Sequence, residues 1–408
     1  MTRTDCEALD SQPCPLAAVR AGFAPGAPGT IYLDANSIGP MPRDAPARMA
    51  ALLERGWRLD RRRGWDNDEW LEQPRSLGAS VAGLVGAAPD DVLVCDTTSV
   101  NLYKLLRHAL CIAAPRKVIV AEAAVFPTNR YIAEGIAQTG RADLRIIEST
   151  EDLPAVLADD KVAVVALSHV DYRSSVRLDM AQLNRLIHGH GATVLWDLSH
   201  SAGAVAVDLH GTDTDYAVAS GYKYLCGGPG APALLYMHPR WQTAAWPAIC
   251  GWMGHLDTFD FSPRYSPAQG IARQLAGTPA VIANTAWRAA AVLWRQVDSQ
   301  TMDARHRSLT DTLIALLDRE CAGLGIELSS PREHRRRGGH VAVRMTAPDA
   351  DVDALGRALV AANVVVSTRK PDSLRFGVHP VTTTHVDLWE AVQRLRDILV
   401  SGRWHEPA

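Results

Sequence analysis

The sequence predicts an α/β fold: a large domain built on a mostly parallel sheet, followed by a smaller α+β domain. Three observations predict it. From residue 72 to residue 240, short apolar runs alternate with helical stretches, the pattern of strands joined by crossover helices. Several runs, such as Val162–Ser168, are apolar throughout rather than alternating, as expected of strands buried on both faces. Beyond residue 338 the pattern changes to short strands interleaved with two helices.

Taken in order, residues 1–30 combine Pro, Gly and Ala with little periodicity and read as an N-terminal arm with one short helix. Residues 44–60 read as a helix. The strands of the large domain are Val92–Cys95, Lys117–Ala121, Asp143–Ile147, Val162–Ser168, Thr193–Asp197, Tyr216–Ala219 and Ala233–Tyr236, with helices over 99–112, 128–139 and 178–189. Helices near 279–298 and 303–323 follow. Gly339–Met345, Val364–Thr368 and Leu374–Val378 read as strands, and Asp351–Ala362 and His385–Ser401 as helices. The expected division is an arm and part of the small domain over 1–60, the large domain over 61–295, and the rest of the small domain over 296–408. No internal repeat or low-complexity tract is evident.

At 408 residues, 47% hydrophobic and 21% charged, the chain has the composition of a soluble globular protein with a sizeable core. A net charge of −3 gives no reason to expect a nucleic-acid partner. No run reaches the roughly 18 apolar residues of a membrane span, and Met-Thr-Arg-Thr-Asp-Cys-Glu at the N-terminus lacks the apolar core of a signal peptide. A cytoplasmic location is therefore expected. The seven cysteines are scattered without CxxC spacing, which indicates neither a disulfide framework nor a zinc site. Cys95, Cys111 and Cys226 are expected to be buried thiols, and Arg335-Arg336-Arg337 a solvated loop. Arg61-Arg62-Arg63 also reads as solvated, with the border of an anionic site as the alternative.

The chemistry concentrates on Lys223 and Asp197. Lys223 follows the apolar run Ala217-Val-Ala-Ser-Gly-Tyr, and Asp197 closes another, 26 residues upstream. A lysine and an aspartate at the ends of successive strands suit pyridoxal phosphate (PLP). The amine forms a Schiff base with the aldehyde, and the carboxylate keeps the pyridinium nitrogen protonated. Around this pair, Thr98 and Ser99 open a helix after the strand 92–95, where they serve either as caps or as phosphate ligands. Phe126 precedes Pro127 at a strand-to-helix junction and is either core or a ring-stacking residue. Ser168 ends a strand whose edge opens on the same cleft, and His200 either steers the cofactor or is a structural histidine. His188-Gly-His190 closes a helix and lacks a third metal ligand. Gly227-Gly228-Pro229-Gly230 is a tight turn, not a nucleotide fingerprint.

Asp-Leu-Ser-His (197–200), Ser-Gly-Tyr-Lys-Tyr-Leu (220–225) and Gly-Trp-Met-Gly-His (251–255) together resemble the kynureninase family. So do Tyr-Leu-Asp-Ala-Asn-Ser-Ile-Gly (32–39), Thr-Ser-Val-Asn-Leu (98–102) and Gly-Thr-Pro (277–279). The resemblance runs from residue 30 to the end in unchanged motif order. It implies the PLP-dependent transferase fold (fold type I) of aspartate aminotransferase, a homodimer, and hydrolytic cleavage of the Cβ–Cγ bond of L-kynurenine or 3-hydroxykynurenine to an anthranilate and L-alanine. Lys223 would carry PLP and shuttle the Cα proton, with Tyr222 as proton donor or relay. Asp197 would hold the pyridinium, His200 would lie beside the ring, Phe126 would stack on it, and Ser168 would approach its phenolic oxygen. Thr98, Ser99, Tyr222, Trp252 and Thr278 would surround the phosphate and cofactor, the last two from the partner subunit. Asn36 and Ser37 would line the substrate side, and Arg375 would clamp the α-carboxylate. The chain departs from the family pattern at Asn129, where Asp is common and a charge beside the cofactor is lost, and at Ala35 and Met253, in place of Gly and Phe. These departures bear on cofactor electronics and pocket shape, and leave a ring-substituted kynurenine open as substrate. The rival reaction classes on the same fold are a desulfurase, a β-lyase and an aminotransferase. A desulfurase needs a mobile cysteine near the lysine, a role Cys321, in a predicted helix, fits poorly.

Overall fold

A computed structural model describes residues 1–67, 69–347, 350–402 and 404. Seven strands form the main sheet: β1 (Val92–Cys95), β2 (Val118–Glu122), β3 (Asp143–Ile147), β4 (Val162–Ser168), β5 (Thr193–Asp197), β6 (Tyr216–Ala219) and β7 (Ala233–Met237). Their order across the sheet is β1-β7-β6-β5-β4-β2-β3. The five strands from β6 to β3 pair in parallel, and β7 runs antiparallel to both its neighbours. The expected mostly parallel sheet is therefore what forms, with every predicted strand present. The apolar runs explain it: β4, β5, β6 and β7 are buried along their whole length, each buried Val or Leu contributing roughly 1.5–3 kcal/mol. Helices α1 (Thr98–Ile112), α2 (Pro127–Gln138) and α3 (Met180–Gly189) are among the connections.

Two long helices, α4 (Val281–Trp294) and α5 (Ser299–Glu320), lead into the C-terminal unit. There β8 (Ile326–Leu328), β9 (Val341–Met345), β10 (Ser367–Arg369) and β11 (Ser373–Phe376) form an antiparallel sheet of order β10-β11-β9-β8, accompanied by α6 (Val352–Ala361) and α7 (His385–Ser401). The predicted strand over 364–368 divides in two. Val364–Val365 pairs in parallel with Ile31–Tyr32, while β10 pairs with β11. The N-terminal segment thus ties the two units together. Leu16, Val19 and Phe23 join the core under the main sheet, whereas Cys6, Ile31 and Leu33 join the core of the small unit. The arm holds two short helices, Arg3–Asp10 and Ala17–Ala21, rather than one. The expected helix over 44–60 is α-helical only to Ala51 and widens into π-helical turns over Leu52–Asp60.

Two expectations are corrected. Cys111 is exposed, because it faces outward near the C-terminal end of α1, while Cys95 and Cys226 are buried. Arg337 is not a solvated loop residue: it is fully buried, donating to the Pro331 and Arg332 carbonyls and to Thr310, and pairing with Asp311. A guanidinium offers enough donors to satisfy that many acceptors at once. Arg335 and Arg336 remain exposed.

Gly39 locks the N-terminal segment to the turn carrying Lys223. Its N–H donates to the Tyr222 carbonyl at 2.9 Å, and a Cβ there would lie 2.2 Å from the Lys223 carbonyl oxygen. Backbone cannot yield as a flexible side chain does, so Gly39→Ala is expected to cost about 1–3 kcal/mol. A urea midpoint that falls while the denaturant slope stays constant is the expected measurement; an unchanged midpoint would contradict this packing.

Candidate active site

Asp197 is the last residue of β5, and the turn that follows β6 carries Ser220, Tyr222 and Lys223. The two strands are parallel neighbours, with Asp197 in register with Val218. Their C-terminal ends therefore open on one edge, where ligands of open α/β sheets bind. A cavity of about 220 Å³ forms there, lined by Thr97, Thr98, Ser99, Phe126, Asn129, Asp197, Ser199, His200, Ser220, Tyr222 and Lys223 among others.

The Asp197 carboxylate is buried and fixed at both oxygens. Ser199 N–H donates to Oδ1 at 2.9 Å, and the Asn129 amide donates to Oδ2 at 2.9 Å. Lys223 Nζ stands 3.3 Å from His200 Nε2, 5.8 Å from the centre of the Phe126 ring and 6.0 Å from that of Tyr222. Burial pushes the Lys223 ammonium down to about 8, against the opposing pull of Asp197, with Arg375 and Arg369 adding to the fall. Burial, reinforced by the Lys223 charge, likewise holds His200 well below the ordinary histidine range. Burial and the nearby Asp197 charge raise Tyr222 above the usual phenol range, so it stays protonated.

At the start of α1 neither Thr98 nor Ser99 is the cap. Thr97 is the cap, its hydroxyl accepting from Val100 N–H at 3.3 Å. Thr98 and Ser99 are left to face the cavity with first-turn N–H groups that have no helical acceptor.

Of the other predicted residues, Ser168 is buried at the end of β4, in register with Asp197. Phe126 is 40% exposed, lines the cavity and meets Tyr172 edge-on. Asn36 is buried, with both amide atoms lacking a partner, and Ser37 donates to Asp34 at 2.8 Å. Arg375, on β11, is fully buried, donating to the Tyr172 carbonyl at 2.6 Å and to Ser367 at 2.9 Å, while its Nε lacks a partner. Burial and the neighbouring Arg369 lower its pKa to about 10, which leaves it charged at neutral pH. Asn36, Ser37 and Arg375 do not line the Lys223 cavity. Trp252 and Thr278 do not line it within one chain either: Trp252 packs edge-on to Trp65 at 6.2 Å, and Thr278 is exposed. Sequence reasoning missed Thr97, Ser199 and Ser220, small hydroxyl residues within two positions of residues it did single out. The histidines at 188 and 190 serve the fold, with His188 Nε2 2.7 Å from Asp215.

The family model described as "Kynureninase C-terminal domain" matches residues 302–395. A kynureninase of Burkholderia mallei (strain ATCC 23344) is 41% identical to this chain, covering 100% of it and 97% of the relative. A kynureninase of Pseudomonas fluorescens is 40% identical over 99% of this chain and 97% of its own length. Among solved structures, the apo cysteine desulfurase of Thermococcus onnurineus NA1 aligns with a TM-score of 0.76 at 18% identity, over 94% of this chain and 98% of that one. A C-DES mutant with glycine covalently linked to its PLP cofactor aligns with a TM-score of 0.76 at 20% identity, over 93% and 99%. The structural likenesses speak to the fold, a PLP-enzyme fold of type I, and the full-length sequence likeness settles the family: this chain belongs to the kynureninases.

Proposed function

We propose that the chain is a PLP-dependent hydrolase that cleaves the Cβ–Cγ bond of L-kynurenine, or of a 3-hydroxy or otherwise ring-substituted kynurenine, giving the corresponding anthranilate and L-alanine. The observation that carries this reading is the placing of Lys223 and Asp197 in one cavity with the open N-terminus of α1. The residues present fit PLP. An amine with lowered proton affinity can hold the aldehyde, a fixed carboxylate can pair with the ring nitrogen, and the helix start with Thr98 and Ser99 can take the phosphate. A buried polar atom in the cavity wall, Asn129 Oδ1, has no partner, and a polar ligand would satisfy it.

PLP, when bound, supplies an electron sink for the bonds breaking at the substrate. The chain supplies the rest. Asp197, held by Ser199 and Asn129, would pair with the ring nitrogen, and Phe126 would cover a ring face. Lys223 removes the Cα proton and holds it for return. Water adds to the γ-carbonyl carbon, which departs as the aryl carboxylic acid, while Cβ keeps the bonding pair and takes a proton. Tyr222, kept protonated, suits the role of donor to Cβ. Arg375 engages the α-carboxylate through N–H groups not used by Tyr172 and Ser367, and the unpartnered Asn36 amide lies on the same substrate side. Residues 61–295 thus hold the cofactor, while 1–60 and 296–408 bring Asn36 and Arg375. A desulfurase reading loses support because Cys321 is buried in the core of the small unit.

A homodimer follows from the same reading. Leu53, Trp57 and Leu59 leave an apolar surface on the π-helical segment, and Trp252 and Thr278, which do not line the Lys223 cavity of their own chain, would reach that of a second copy. A cytoplasmic location goes with this reading. Among the described residues, no helix is long and apolar enough to cross a membrane.

Purified protein loaded with PLP is expected to show a visible absorbance band and to release fluorescent anthranilate from L-kynurenine. Lys223→Ala should lose both. In cofactor-free protein the neutral amine is the reactive form, so the rate of PLP capture should rise with pH and level off above a midpoint near 8. A midpoint near the ordinary lysine value would contradict the buried-amine site, and product from cysteine derivatives but not from kynurenine would overturn the reaction. Mixing Lys223→Ala subunits with Trp252→Ala subunits, each inactive alone, should recover activity; no recovery would contradict the shared site.

A further inference from the structure

A buried ammonium in the large unit has no part in the chemistry described above. Lys104, on α1, is 1% exposed through its side chain. Its Nζ donates to the Asp96 carboxylate and, at 2.6 Å, to the main-chain carbonyl of Gln274. Burying an ammonium is costly, and a well-packed apolar side chain would hold a core at least as well. That cost points to the geometry the cation fixes. Neither Lys104 nor Asp96 lines the Lys223 cavity, yet each of the two acceptors leads to a cofactor site.

Asp96 stands between the end of β1 and the cap residue Thr97. Its backbone is left-handed, with φ at 49°, a conformation Asp tolerates better than most residues. It turns the chain so that Thr97, Thr98 and Ser99 line the cavity. The Asp96 carbonyl accepts from Ala233 N–H at 2.9 Å, and the carboxylate ties the same turn to the body of α1 through Lys104. Gln274 is fully buried, ends the short 3₁₀ helix Gly270–Gln274 and lies just upstream of Thr278. The residues after it support Trp252. The Ala276 carbonyl accepts from Met253 N–H at 3.3 Å, and a Cβ on Gly251 would lie 2.0 Å from that same oxygen. Trp252 and Thr278 therefore hang from the strip that Lys104 grips.

We propose that Lys104 is a positioning residue for the cofactor phosphate in both subunits of the dimer. Through Asp96 it sets the phosphate turn of its own subunit. Through Gln274 it sets the strip that carries Trp252 and Thr278 to the partner's site. The inference rests on the PLP and homodimer readings given under the proposed function.

The test compares PLP with pyridoxal, which has the same aldehyde and no phosphate, as ligands of the cofactor-free protein, with the visible band as readout. In Lys104→Met, PLP is expected to bind roughly tenfold more weakly, the size of one lost charge-assisted bond, while pyridoxal binding changes by less than about twofold. An unchanged PLP affinity overturns the proposal, and so does equal weakening of both ligands, which marks a general structural defect. Asp96→Asn separates charge from position. If charge alone mattered, removing a negative charge from beside the phosphate would tighten PLP binding. The bridge predicts weaker PLP binding instead, and unchanged or tighter binding overturns it. Should Lys104→Met fail to fold by thermal melting, Asp96→Asn decides. The reach into the second subunit is read from mixed dimers, in which a Lys223→Ala subunit cannot hold the aldehyde and its wild-type neighbour can. Adding Lys104→Met to the Lys223→Ala subunit should weaken PLP binding at the neighbour by roughly threefold; no change overturns the cross-subunit half. No readout involves kynurenine, so protein that binds PLP yet leaves kynurenine whole sinks the hydrolase reading and leaves this one standing. Protein that binds neither aldehyde sinks both.

Discussion

The parallel pairing of β5 with β6 is the interaction on which the rest of the structure depends. It brings Asp197 and the turn bearing Lys223 to one edge of the sheet, though they lie 26 residues apart in the chain. Backbone and side chain then fix the edge: Leu198 N–H donates to Val218 at 2.7 Å, and Ser220 N–H to the Ser199 hydroxyl at 3.0 Å. An amine and a carboxylate buried this close to a protein core are costly to hold charged. The chain answers differently for each. Asp197 is held by two hydrogen bonds, whereas Lys223 receives a neutral imidazole and aromatic faces and has its proton affinity lowered. The outcome is a fixed carboxyl group beside a reactive amine.

The small unit matters because it is stitched to this edge. Ile31–Tyr32 pairs with Val364–Val365, Gly39 reaches the Tyr222 carbonyl, and Arg375 crosses to the Tyr172 carbonyl beside Phe126. Close packing permits little slack at these joints. Gly377 has no room for a side chain, because a Cβ there would fall 1.9 Å from Asn36 Oδ1. Asn36 and Arg375 are therefore positioned in part by contacts between units.

Much of this was legible in the sequence, for definite reasons. Runs such as Val162–Ser168 have no polar face to offer solvent, so they announce buried parallel strands, and the ends of such strands announce the site. Lys223, Asp197, Phe126, His200, Thr98 and Ser99 all emerge at those ends and meet in one cavity. What was not legible depends on long-range packing. The burial of Arg337 needs carbonyls from a loop and a hydroxyl from α5. The division of 364–368 needs a partner strand from the N-terminus. The Asn129–Asp197 bond spans 68 residues.

The central claim is that Lys223 is the residue to which the cofactor is bound. Borohydride reduction of the PLP-loaded protein, followed by proteolysis and mass mapping, tests it most directly. The account predicts one pyridoxyl-phosphate adduct, on the peptide containing Lys223, whose yield falls sharply when Asp197 is replaced by Ala. An adduct on another lysine, or none at Lys223, would contradict it.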